Sequence, residues 1–260
     1  MKKQMFAFVY ETTAVANAEL RKLVRDPSDL LSRAVQPVLW LAVFGQVFSQ
    51  VRGLPTGSLR YLDYMAPGIL AQSVLFSAIF YGIAIIWERD LGIVHKLLVT
   101  PAHRSALVFG KAITAGLRGL VQAVVVYLVA LALHVAIRWE LWPMLTVLAG
   151  VFLGSCIFST FSLVIACIVK TRERFMGIGQ VLTMPLFFAS NALYPLELMP
   201  GWLRSVAVLN PLTYLVDVLR GAMVLGGHHG YDLRLSFGIM LAVFAVLLAI
   251  ASRLYPGLAR

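Results

Sequence analysis

The sequence predicts an all-α integral membrane protein, and three observations carry that prediction. Hydrophobic residues fill 60% of the 260 positions and charged residues only 13%, with a mean hydropathy of +0.85. A soluble domain has roughly 45–50% apolar and about 25% charged residues. Several apolar stretches reach the roughly 18 to 20 residues that a helix needs to cross a hydrocarbon core about 30 Å thick. Lys and Arg are also divided unevenly among the loops between those stretches, as in a chain with a fixed orientation in a bilayer.

Hydropathy places six crossings near residues 34–50, 62–87, 106–136, 143–169, 175–193 and 235–253. The third contains Lys111 and Arg118 near its start, so its first turns are expected at the interface with both cations snorkelling to water. An even number of crossings puts both termini on one side. Only Arg52, Arg60, Arg138, Arg204, Arg220 and Arg234 of the 22 Lys and Arg residues fall on the side opposite the termini. The basic side is the cytoplasmic one, so both termini are expected in the cytoplasm, with residues 1–260 forming a single domain. This orientation accounts for the formal charge of +10 without a nucleic-acid partner.

The start of the chain, Met1-Lys2-Lys3 followed by apolar Phe6 to Tyr10, imitates a secretory signal, but Glu11, Thr12 and Thr13 interrupt it and no cleavage is expected. Cys156 and Cys167 stand eleven positions apart in one apolar stretch, about 16 Å along a helix. They are too distant to form a disulfide with each other.

Residues 8–25 gather Val9, Ala16, Leu20, Leu23 and Val24 on one helical face and Glu11, Arg21, Lys22 and Arg25 on the other. This pattern predicts a helix lying flat on the inner membrane surface, the alternative being a solvated extension. Asp26-Pro27-Ser28-Asp29 ends it. In the loop between spans two and three, Leu91, Val94 and Leu97 or Leu98 recur at helical spacing among Glu88, Arg89, Asp90, His95 and Lys96, and Pro101 closes the stretch. Residues 88–101 are therefore expected to form a short amphipathic helix protruding from the membrane. Such a helix has little structural purpose unless something docks on it.

Residues 194–220 carry Pro195, Pro200 and Pro211 yet remain rich in Leu, Val, Trp and Tyr. A freely solvated loop does not carry so much apolar surface. Gln46, Gln72, Ser73, Ser77, Tyr81, Gln180 and Asn191 supply uncharged polar groups within or near spans one, two and five, beside the aromatics Trp40, Phe44, Phe76 and Phe80. Polar groups at membrane depth face protein or a cavity, so Trp40, Phe44, Gln72, Phe76, Phe80 and Asn191 are candidates for lining a transport route. Helix packing is the alternative role for each.

Several stretches together resemble the type-two ABC-exporter permeases, in particular the bacterial branch typified by daunorubicin exporters. They are Tyr64-Met65-Ala66-Pro67-Gly68-Ile69-Leu70, Glu88-Arg89, Leu97-Leu98-Val99-Thr100-Pro101 and Gly110-Lys111. Further along come Tyr194-Pro195-Leu196-Glu197-Leu198-Met199-Pro200-Gly201-Trp202, Asn210-Pro211-Leu212-Thr213-Tyr214 and Asp217-Val218-Leu219-Arg220-Gly221. The resemblance implies that residues 88–101, with Glu88, Arg89, Leu91, Val94, Leu97, Leu98, Thr100 and Pro101, form the coupling helix received by a nucleotide-binding ATPase subunit. It implies that the N-terminal helix touches the same subunit, that two permease copies form a homodimer served by two ATPase copies, and that the route runs between them. It also implies short re-entrant helices over residues 194–220, with Tyr194, Pro195, Asn210 and Pro211 at an exit gate; packing on the spans without gating is the alternative.

An ATP-driven pump needs a phosphate-binding loop. No G-x-x-x-x-G-K-[ST] occurs: Gly110-Lys111 lacks the preceding glycine and is followed by Ala112. ATP and Mg are therefore expected on a separate partner polypeptide, with no cofactor, metal or catalytic residue on this chain. An ion-coupled carrier is the first rival reading, but every Asp and Glu falls in a loop or near a span end. An intramembrane hydrolase using Ser155 and His134 is the second, although Gly150, Gly154, Ser155 and Ser159 read better as a close-packing surface. His228-His229 among glycines reads as a polar turn. An uncharged route suits an amphipathic or hydrophobic cargo such as a drug, lipid or glycolipid.

Overall fold

The structure is a computed structural model that describes residues 10–14, 35–49, 59–99, 103–169 and 171–259. Residues 10–14 are helical. The remaining helices are α1 (Val35–Phe48), α2 (Tyr61–Asp90), α3 (Ile93–Val99), α4 (Arg104–Ala132), α5 (Leu141–Ile168), α6 (Arg172–Phe188), α7 (Gly201–Leu209), α8 (Pro211–Met223) and α9 (Leu233–Leu254). Trp40–Gly45 within α1 is wound as a wider π-helix. The all-helical class expected from composition is therefore observed.

Among the described residues, α2, α4, α5 and α9 are long and apolar enough to cross a membrane, and α7 with α8 would make a fifth span if that pair counts as one. The expected spans at residues 34–50 and 175–193 correspond to α1 and α6, which are shorter. α6 has 17 residues, about 26 Å of helix, and stops three residues after Pro185.

The buried α5 lies at the centre and packs against α2, α4, α8 and α9. Small residues permit these contacts. Added β-carbons on Gly150 and Gly154 of α5 would meet Val218 and Leu215 of α8, while Gly119 of α4 abuts Ser155. Ser155 Oγ donates to Val151 O at 2.8 Å within its own helix. The Gly150–Gly154–Ser155 face is thus a packing surface, the usual use of small residues where lipid offers no hydrophobic drive. Both cysteines are free thiols.

At one end of the bundle the connections are stitched together. Asp63, in the first turn of α2, accepts from Arg60 Nε at 2.9 Å and from the backbone N–H of Ala136 at 3.0 Å. Arg138 N–H donates to Met223 O, and Leu225 N–H donates to Ala136 O. The α4–α5 loop, turned by His134 at φ +57°, is thereby tied to the start of α2 and the end of α8.

Candidate coupling site and transport route

The opposite end of α2 carries the candidate coupling site. The segment expected as one helix over residues 88–101 is divided: Glu88, Arg89 and Asp90 complete α2, the chain turns at Leu91-Gly92, and α3 begins at Ile93. Gly92 has φ +71° with nothing near its missing side chain, so the turn requires glycine for its backbone alone. Val94 is fully buried against Tyr81, Ile85, Leu107 and Tyr255, whereas Leu91 and Val99 are exposed. Leu97 and Leu98 lie within α3; Thr100 and Pro101 lie outside the described residues, as do Arg21, Lys22 and Arg25.

Lys111 of α4 corrects an expectation. It does not snorkel to water but is 3% exposed and donates to Glu88 Oε2 at 2.6 Å. An ammonium that deep is stable only when paired, and a buried carboxylate in reach supplies the pair. Arg118, the other expected snorkeller, lies 5.0 Å over the Tyr81 ring. Beside them, Arg172 at the start of α6 donates to Asp90 Oδ2 at 2.7 and 3.1 Å and stacks 3.8 Å over Trp87. Arg89 binds the other oxygen of Asp90 at 2.9 Å. The start of α6 is thus held to the end of α2.

The N-terminal segment meets this region through Glu11, whose Oε2 accepts from the His103 backbone N–H at 2.9 Å and lies 3.3 Å from its Nδ1. The carboxylate therefore sits at the first turn of α4, where the helix dipole favours negative charge.

The route candidates separate into two groups. Gln72, Ser73, Phe76, Ser77 and Phe80 of α2 line a cavity of about 220 Å³ with Gln36 and Pro37 of α1. Among the described residues, no charged side chain lines it. Buried Gln72 Oε1 has no hydrogen-bond partner among the described residues, an acceptor left for a donor that enters. Trp40 and Phe44 lie further along α1, stacked at 4.5 Å between centroids, and are not part of that lining. Asn191 lies elsewhere, in a cavity of about 360 Å³ with Tyr64, Pro195, Glu197, Arg204, Asp217, Arg220 and His229.

The expected exit segment is a bent pair. α7 and α8 meet at 82°, and Asn210 sits at the corner. Its Oδ1 caps α8 by accepting from Leu212 N–H at 3.0 Å, and its Nδ2 donates to Leu186 O at 2.6 Å and Ala189 O at 2.9 Å. Pro211 fills the first helical position, where its missing N–H costs nothing. Tyr194 Oη donates to Phe188 O at 2.6 Å. One side chain therefore fixes both the bend and the end of α6.

Sequence reasoning missed Lys111, Asp90, Arg172, His103 and Arg220 as structural partners. Lys111 reads in the sequence as a motif member and an interface cation, and no periodicity indicates which helices face each other.

Long apolar helices packed around α5, with a cavity beside α2 and a short helix, α3, packed at one end, make a multi-pass membrane protein. Residues 10–224 match the ABC-2 type transporter family, and the chain belongs to that family as the membrane subunit of an ABC transporter. A Cyanophora paradoxa protein named as a transport permease, ycf38, is 29% identical over 220 residues, covering 83% of this chain and 74% of its own. The daunorubicin resistance ABC transporter permease protein DrrB1 of Streptomyces coeruleorubidus is 25% identical over 236 residues, 86% of this chain and 77% of its own. A Mycobacterium tuberculosis protein named as the doxorubicin resistance permease DrrC is 25% identical over 225 residues, 85% and 79% of the two chains. Permeases of this family work with ABC ATPase subunits.

Proposed function

We propose that this permease exports an amphipathic or hydrophobic cargo, such as a drug, lipid or glycolipid, across a prokaryotic cytoplasmic membrane. Two copies form a homodimer, each served by an ATPase subunit that binds ATP and Mg. The chain crosses the membrane six times with both termini inside, and residues 194–220 form a re-entrant exit gate. The observation that carries the cargo class is the uncharged cavity lined by Gln72, Ser73, Phe76, Ser77 and Phe80. Its amides, hydroxyls and rings accommodate an apolar body with a few polar groups and offer no counter-charge for a permanent ion.

Coupling runs through the inner end of α2. α3 docks on the ATPase together with the N-terminal helix and its Arg21, Lys22 and Arg25. The Glu88–Lys111 pair then makes α2 and α4 respond as one body to its movement. Inverted vesicles carrying the permease and its ATPase subunit test the reading, with doxorubicin and a fluorescent phospholipid as probes. ATP-dependent accumulation of at least one probe, reduced in Gln72→Leu and Phe76→Ala, is expected. No ATP-dependent movement of either probe would overturn it.

A further inference from the structure

The larger cavity, about 360 Å³, lies at the end of the bundle opposite the coupling site. Tyr64 on its wall and Glu88 are 24 residues apart in one helix, about 36 Å by helical rise. Arg220 of α8 forms part of its wall and is 7% exposed. Its Nη2 donates to Asn191 O at 2.6 Å, its Nε reaches Tyr64 O at 3.4 Å, and its guanidinium carbon lies 3.7 Å over the Tyr64 ring.

Two carbonyls occupy two of the five N–H donors of a guanidinium. Among the described residues, no carboxylate forms an ion pair with it. Asp217, one turn earlier on α8, is committed elsewhere, accepting from Gly230 N–H at 2.6 Å and Tyr231 N–H at 3.2 Å. Asp217 and Glu197 attract Arg220 through space without bonding to it, and these charges, the Tyr64 face and two carbonyl dipoles offset part of the cost of burying a cation. Asn191 leaves a second group unsatisfied: it is 5% exposed and its Oδ1 has no hydrogen-bond partner among the described residues.

We infer that this cavity binds the oxyanion head of an amphipathic molecule, with Arg220 as the anchoring cation and Asn191 accepting from a hydroxyl beside the oxyanion. A planar guanidinium fork matches phosphate and carboxylate geometry. Arg204, also on the wall, adds a second cation, and exposed Glu197 opposes it. The cavity therefore selects a head that keeps its negative charge near Arg220 and away from Glu197 and Asp217. The assignment rests on the exporter reading only in making this the exit side. Binding is measured without turnover, so its failure is distinguishable from a failed transport assay.

The test is native mass spectrometry of the permease–ATPase complex in detergent, using dioctanoyl phosphatidic acid as probe and dioctanoylglycerol as its uncharged counterpart. Phosphatidic acid should be retained and dioctanoylglycerol not. Arg220→Gln should weaken retention at least about tenfold, as removal of one buried charge partner does. Glu197→Gln, at the exposed rim where folding is not at risk, should strengthen it, and Arg204→Gln should weaken it. Equal retention of both lipids, or no response to Glu197→Gln and Arg204→Gln, would overturn the assignment. Displacement by equimolar inorganic phosphate would overturn its amphipathic part, since the ligand would then be the free anion.

Discussion

Lys111 Nζ lies 2.6 Å from Glu88 Oε2, and both side chains are buried between α2 and α4. Removing one partner of a buried ion pair strands the other charge, at about 3–5 kcal/mol, whereas replacing both is often nearly neutral. Lys111→Met should therefore lower the thermal unfolding midpoint of the purified permease more than the double variant Lys111→Met with Glu88→Gln. Equal destabilisation of the two would show that Lys111 matters for packing and not as the partner of Glu88.

Asn210 performs three hydrogen-bonding tasks at the corner between α7 and α8. Asn210→Asp keeps the cap acceptor but loses both donors and places a charge against two carbonyls, while Asn210→Ala loses all three bonds. Loss of a cap costs about 1 kcal/mol and each stranded buried group about 1–3 kcal/mol. Both variants should melt well below the parent, and Asp should not rescue. Recovery of the parental midpoint by Asp would show that capping alone sustains the bend.

The orientation proposed from Lys and Arg is tested with single cysteines in a background where Cys156 and Cys167 are alanine. His228→Cys, in an exposed turn, should be labelled by an impermeant maleimide in intact cells, and Ser105→Cys should be labelled only after permeabilisation. The reverse pattern would invert the permease and make the Arg220 cavity face the cytoplasm.

Much of this arrangement is legible in the sequence because single elements announce themselves locally. The helical spacing that marks Val94 as apolar among charged neighbours reflects its burial on the packed face of α3, and Asn210-Pro211 marks a helix start by capping chemistry alone. The division at Gly92 was less visible, since the apolar spacing continues across the turn and only the positive φ breaks it. The Glu88–Lys111 contact was not legible at all. Its register depends on how two helices joined by an intervening loop pack against each other, so Lys111 read as a cation near a span end. Asn191 was drawn into the route by its polarity, but the chain after α6 carries it to the opposite cavity, beside Arg220. The apolar character of α6 extends beyond Phe188, where the helix ends three residues after Pro185, so hydropathy alone places that end too late.

If the inner end of α2 transmits the ATPase stroke to the cavity, Glu88→Ala separates hydrolysis from transport. The permease and its ATPase subunit are reconstituted in lipid, and ATP hydrolysis and probe transport are measured on the same preparation. The account predicts an assembled complex whose hydrolysis is largely retained while transport falls much further. Wild-type transport, or loss of both activities in equal proportion, would contradict it.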